Sequence, residues 1–441
     1  MSRENIKPSS STPLHLRNFK FSLLDQMHPP LFHPIVIYFL PEASDFNDAS
    51  RLLSSRTQIL KKSLSLILTG FYPFAGIIRD SFSIDCNDGG VPFVVAKVKS
   101  QLSDFLKNPD LHMVQHFLPS ELSWSSPGSN VLKIQVNQFD CGGMVIAVIV
   151  SHAVGDAVTL CTFLKSWAST ARKSNEEVSP NYIGQSLFPQ NDKVSVDSSI
   201  FSDLMRFLIP GNYILRRYVF DLLAISTLKA KSGVENPTRV EVVTAFIWRC
   251  FMAACAAAKS GSNNQPSLMI HSVNLRSRAM PPFAENSFGN FVWFPAAVQS
   301  MNETEADLAS KVRESIRQID GNFVRRMEGD EGWIGYYKNL EETKAVIPEE
   351  GICLFFSSWC RFGVYDIDFG WGKPIWAANS VWPDSFSPKI NQVTLLDTKF
   401  GDGIEAWVTI GEQFAAAFQE NEELRTLTSL NQSPLEIESR D

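Results

Sequence analysis

The sequence predicts an α/β protein divided into two domains, and three observations carry that expectation. Apolar runs of strand length alternate with stretches of helical spacing along the chain. Its 441 residues exceed the roughly 250 to 300 at which a single core usually stops growing. Between residues 173 and 199 the composition turns to Ser, Asn, Glu, Pro and Asp with little periodicity, as expected of a long surface connection between halves.

Residues 35–39 and 144–150 read as buried strands, and 49–66 carries helical spacing. From 142 to 164 the chain reads as strand, tight loop and helix. Leu160, Cys161, Leu164, Trp167, Ala168 and Ala171 recur at three- and four-residue intervals, so the helix begins near Asp156, with Asp156 as its N-cap. This leaves His152 at the strand's end. Residues 239–258 predict a helix apolar on much of its circumference and 268–273 a strand, with loops at 233–237 and 259–265 and a charged, frayed tail after Asn431.

Composition narrows the function. The formal charge of −7, with no clustered Lys/Arg face, excludes a nucleic-acid partner. The first eleven residues lack the apolar core of a signal peptide, and the longest apolar runs are too short to span a bilayer, so a cytoplasmic location without membrane attachment is expected. Seven cysteines (Cys86, Cys141, Cys161, Cys250, Cys255, Cys353 and Cys360) are scattered and never form C-x-x-C, which fits reduced thiols. No H-E-x-x-H or Cys/His spacing supports a metal, and no Walker A or strand-linked G-x-G-x-x-G supports a nucleotide fold.

The chemistry is concentrated in Ser151-His152-Ala153-Val154-Gly155-Asp156. A rigid strand end can present one side chain to a cleft, and imidazole accepts a proton near neutral pH. A second island, Asp368-Phe369-Gly370-Trp371-Gly372-Lys373-Pro374, implies a tight backbone path through its two glycines. Together the islands resemble the BAHD acyl-CoA-dependent acyltransferases of plants, whose hallmarks are H-x-x-x-D mid-chain and D-F-G-W-G near the C-terminus. The resemblance extends through Ser22-Leu23-Leu24-Asp25-Gln26, Tyr72-Pro73-Phe74-Ala75-Gly76, Asp140-Cys141-Gly142-Gly143, Asn274-Leu275-Arg276-Ser277-Arg278, Ser287-Phe288-Gly289-Asn290 and Asp402-Gly403-Ile404-Glu405-Ala406-Trp407. It is nearest to the vinorine-synthase-like branch, which acylates alkaloids and related specialised metabolites.

The resemblance implies two chloramphenicol-acetyltransferase-like α/β domains with a solvent channel at their interface. Residues 1–180 would form the first, rejoined by 368–390; 181–215 would cross over; 216–367 and 391–441 would form the second. It implies a monomer taking acyl-CoA as co-substrate, with no permanently bound cofactor, and a small-molecule hydroxyl as acceptor. His152 aligns with the general base and Asp156 with an orienting carboxylate paired to Arg276. Trp359 and Ser357 fall where relatives offer donors to the oxyanion. Asp368, Gly370 and Gly372 are structural, shaping the CoA side, and Lys229, Lys231, Thr244 and Asn290 lie in regions that line the CoA entrance. Read without the resemblance, Trp359 is a core side chain, Ser357 a strand hydroxyl and the lysines solvated.

The sequence departs from the family pattern at Ile77, which replaces an Arg, and at Gly155, a variable position. It departs also at Arg425, where relatives carry an apolar residue. Arg425 is a solvent-facing helix residue or, if it reaches the acyl pocket, a carboxylate partner favouring malonyl-CoA over acetyl-CoA. A condensation-type domain is disfavoured because Ser151 stands where such domains double the His. A non-catalytic family member stays open.

Overall fold

The computed structural model describes residues 1–41, 49–119, 124–174, 178–208, 210–258, 266–299, 303–379 and 389–437. Two open mixed sheets form the framework. In the first, the strands run in the order Ser2–Ile6, Val91–Val98, Leu132–Phe139, Met144–Ser151, Phe32–Phe39, Trp376–Asn379. Met144–Ser151 is buried along its whole length because it lies inside the sheet, antiparallel to both neighbours. That is why it reads as an uninterrupted apolar run. Gly142, at φ 88°, makes the turn into it from Leu132–Phe139, a conformation that favours glycine. Helices Ala49–Ile67 and Ala157–Arg172 pack together, and the Trp167 indole N–H donates to Ser63 Oγ at 3.0 Å.

The second sheet is ordered Ala296–Gln299, Ser267–His271, Ile352–Ser358, Gln392–Asp397, Ile404–Gly411, Tyr213–Phe220, Ser429–Leu430. Helix Arg239–Ala258 is long and apolar enough to cross a membrane, but its apolar residues are core: Val243, Phe246, Ile247 and Phe251 cluster with Leu354 and Phe356 of the sheet. The strand expected over 268–273 is broken. After His271 the chain turns at Ser272, whose N–H donates to the Phe356 carbonyl, and Val273–Asn274 pairs instead with Val292–Trp293.

Residues 173–199 differ from the surface connection read from their composition. Phe188 and Val194, with Ile200, Leu204 and Phe207 after them, are buried in a cluster with Leu268 and Ile270 on the other face of the second sheet. Widely spaced anchors leave no period in the sequence, so the packing was not visible there. Residues 175–177, the loop at 259–265, residues 380–388 and the last four residues lie outside the described residues.

The late strand Trp376–Asn379 pairs antiparallel with Phe32–Phe39, Trp376 opposite Tyr38. It brings Trp376 against the second sheet, where the indole stacks on Trp407 at 5.6 Å and donates to Glu405 Oε2 at 3.2 Å. Glu405 pairs with Arg217 at 2.9 Å, both side chains fully enclosed, and the guanidinium lies over the Trp376 ring. Removing one partner of a buried pair leaves the other charge uncompensated, at about 3 to 5 kcal/mol. Glu405→Ala is therefore expected to lower the melting temperature by many degrees in a thermal melt, whereas an unchanged Tm would remove the clamp assigned to this pair.

Candidate active site

His152 follows directly on the buried strand Met144–Ser151, and its position is pinned by the backbone: its N–H donates to the Leu31 carbonyl at 2.7 Å. Four residues later Asp156 caps helix Ala157–Arg172, accepting from the Thr159 N–H at 2.9 Å. The same carboxylate accepts two bonds from Arg276, at 2.6 and 3.1 Å, and one from the Phe291 N–H at 3.0 Å. Burial alone would raise the Asp156 pKa, but the Arg276 charge and these hydrogen bonds outweigh it and hold the group below the usual carboxylate range. Every bond of Asp156 is made away from His152.

The side chain that does meet the imidazole is Asn290. Its Nδ2 donates to the His152 carbonyl at 2.8 Å and to Asp25 Oδ1 at 2.9 Å, so its Oδ1 is the atom 3.1 Å from His152 Nδ1. An amide oxygen only accepts, and Nδ1 must therefore carry the proton, leaving Nε2 as the bare nitrogen. Asp25 fixes the amide's orientation: its Oδ1 also accepts from the Asn290 N–H at 2.7 Å, while its Oδ2 accepts from the Ser22 N–H and hydroxyl at 2.9 and 2.7 Å. Burial pushes the Asp25 carboxyl up to about 6, against these stabilising bonds.

Two further histidines surround the base. The His28 ring stacks on His152 with centroids 4.9 Å apart, and His33 lies 4.8 Å away on the other contact. Burial, then repulsion from a charged His152, lowers both to about 3. Burial also lowers His152 below its ordinary value, so its resting form is the neutral one that accepts a proton.

His152 lines a cavity of about 410 Å³ between the two sheets, within the range typical of small-molecule sites. Its walls are largely apolar: Pro29, Leu31, Phe201, Phe294, Phe355 and Ile390. Trp359 and Ser357 also line it, the latter accepting from the Ser272 hydroxyl at 3.2 Å. Asn379 and His271 also line it, and each carries a buried polar atom with no partner among the described residues.

Other sequence-derived candidates lie elsewhere. Asn290 sits against His152 and Asp25, not at an entrance. Thr244 is fully buried within helix Arg239–Ala258, turned into the core. On helix Leu222–Lys231, Lys229 is half-buried and Lys231 exposed; neither lines the cavity, and Lys231 is engaged by Glu423 at 3.2 Å. Arg425 follows Leu424, the buried residue of helix Glu422–Leu427, and is exposed, away from the cavity lining. Asp368 accepts from the N–H groups of Gly370 and Gly372 at 2.7 and 3.1 Å, both glycines at positive φ, and folds its own loop outside the cavity. Sequence reasoning missed the site roles of Asp25, His28, His33, His271 and Asn379. Only the first left a signal, since Ser22-x-x-Asp25 is a capping box.

The buried histidines have a pH consequence. His28, His33 and His271 titrate near 3, 3 and 4 in the fold against an ordinary 6.5, so acid favours the unfolded chain, which takes up protons that the fold refuses. Asp25, raised from 3.8 to about 6, works in the opposite sense but offsets only one proton. Stability is expected to be whole above pH 6.5 and to fall steadily from there towards pH 4. Melts of a His28→Phe variant across that window should show a shallower slope, and a slope identical to wild type would contradict the assignment.

The Transferase family matches residues 1–425. The chain is 42% identical to the epi-neemfruitin B 7-O-acetyltransferase of Melia azedarach, over 99% of both chains. It is 41% identical to the limonoid 7-O-acetyltransferase of Citrus sinensis, again over 99% of both. Its fold superposes on the crystal structure of vinorine synthase with a TM-score of 0.81 at 34% identity, covering 97% of this chain and 98% of that one. With two mixed sheets, a cavity between them and this match from end to end, the chain belongs to the BAHD acyltransferases of the Transferase family.

Proposed function

We propose that the chain transfers an acetyl group from acetyl-CoA to a hydroxyl of a bulky, neutral, polycyclic plant metabolite, with His152 as general base. The observation that carries this is the Asn290 amide, whose orientation puts the proton on Nδ1 and leaves His152 Nε2 bare in the cavity. The acceptor O–H gives its proton to Nε2 as its oxygen attacks the thioester carbonyl. The tetrahedral intermediate then collapses, expelling the CoA thiolate, which recovers the proton from the imidazolium. No acyl-enzyme is formed. Trp359 and Ser357, on the cavity wall, are the proposed donors toward the oxyanion.

The resemblance points to an alkaloid acceptor, and the Citrus sinensis relative points to a limonoid. The cavity favours the neutral class. Its two lining carboxylates are both committed, Asp156 to Arg276 and Glu241 to Arg313 at 2.8 and 2.9 Å, so a protonated amine finds no free counter-ion among the described lining residues. Arg425, on which malonyl selectivity would rest, is exposed and outside the lining, which supports acetyl as the group transferred. The cytoplasmic location expected from the sequence and the monomeric state implied by the resemblance belong to the same proposal.

His152→Ala is expected to cut kcat by about a hundredfold or more, the usual contribution of a positioned base. Turnover of acetyl-CoA with a limonoid alcohol at the wild-type rate would overturn the mechanism. Asn290→Ala should lower kcat by about tenfold to a hundredfold through a misoriented ring, with little change in the acceptor KM. Steady-state kinetics separate that result from a binding role, in which KM would move instead.

A further inference from the structure

His271 lines the cavity and has no part in the mechanism above. It ends the strand Ser267–His271, is 3% exposed, and its ring lies parallel to Phe356 at 6.0 Å on the sheet face that packs against helix Arg239–Ala258. Its Nδ1 is 2.9 Å from the Ser272 carbonyl, which can only accept, so the ring's proton is on Nδ1. Burial lowers its pKa to about 4, and at neutral pH Nε2 is a bare lone pair. Among the described residues no donor meets it. A buried acceptor without a donor, on a side chain that lines a ligand cavity, can be completed by a donor on the ligand.

The same cavity supplies the context. Where its wall meets solvent, at the exposed Thr238 and Ser277, stands the half-buried Arg278, with no ion-pair partner among the described residues. The neighbouring acid, Glu241, is taken by Arg313 through two hydrogen bonds. The wall thus offers a guanidinium near the surface and, deeper, a neutral acceptor and the base. Acyl-CoA carries phosphates at one end, amide N–H groups along the pantetheine arm, and the thioester at the other end.

We propose that His271 Nε2 accepts a hydrogen bond from a pantetheine amide N–H of acyl-CoA and so sets the depth at which the thioester stops. This rests on acyl-CoA being the donor substrate. Arg278 would meet the phosphate end of the same molecule. His271 is a donor-binding residue with no share in proton transfer.

Calorimetric titration of the full chain tests this with two probes: CoA, and 3′-phosphoadenosine 5′-diphosphate, which keeps the phosphates and lacks the amides. His271→Phe keeps a ring but no lone pair, and is expected to weaken CoA about tenfold while leaving the nucleotide fragment unchanged. His271→Gln, whose side-chain oxygen can accept, should recover most of the loss. Equal weakening of both probes would mark a structural role and overturn the proposal, as would an unchanged CoA affinity in His271→Phe. If the Phe variant does not fold, the unaltered chain decides it: in histidine labelled with nitrogen-15, CoA should move the bare-nitrogen resonance of His271 upfield, and the fragment should not. A static resonance under saturating CoA would overturn the proposal. Wild-type protein that binds no CoA would sink the acyl-CoA reading itself, whereas CoA bound equally by wild type and His271→Phe sinks only the role of His271.

Discussion

The ion pair between Asp156 and Arg276 is the interaction on which the cavity's chemistry depends. It joins the start of helix Ala157–Arg172 to a chain segment 120 residues away. A buried pair stabilises only when its remaining donors and lone pairs are also met. Here they are: Arg276 also donates to the carbonyls of Ser287 and Gly289, and Asp156 also accepts from the N–H groups of Thr159 and Phe291. The result is a fixed crossing point between the loop that carries His152 and the strip 287–291 that carries Asn290. Because all its oxygens are spent there, Asp156 cannot also orient the imidazole.

That second task falls to Asn290, and the choice of an amide over a carboxylate has an electrostatic reading. A carboxylate at Nδ1 would raise the pKa of the ring and favour its cation at rest. A neutral amide fixes the tautomer without adding charge, while His28 and His33, both neutral, exclude water from two sides of the ring. Asp25, which has no ion-pair partner among the described residues, stands one amide removed and is itself held by four donors. The imidazole can therefore rest neutral and become cationic only while the acceptor's proton is on it.

How much of this could be read in the sequence follows from the range of each interaction. The strand, the cap at Asp156 and the helix after it are set by contacts within a few residues, and apolar spacing reports them directly. The pairing of Asp156 with Arg276 was legible only through family resemblance, since nothing local links residues so far apart. Asn290 was assigned to the CoA entrance because its segment was recognised but its 138-residue reach to His152 was not. Lys229, Lys231 and Arg425 drew attention as charges, yet none of them lines the cavity, and Lys231 and Arg425 are exposed to solvent, where charge costs least. His33 and His271 are single polar residues in or at the end of buried strands, a pattern that looks the same whether the side chain is packed or poised over a cavity.

A ligand cavity between two sheets raises a mechanical difficulty, because the faces that would otherwise hold the halves together cannot be filled with packed side chains. Cohesion has to come from outside the cavity. The late strand Trp376–Asn379 supplies it by completing the edge of the first sheet while presenting Trp376 to Trp407, Glu405 and Arg217 of the second. The burial of Phe188, Val194 and Ile200 does the same for the connection between halves. With these contacts carrying the docking, the walls around His152 are free to keep groups such as Asn379 and His271, whose polar atoms meet no partner among the described residues; that would be a defect in a core and is an opportunity for binding in a cavity.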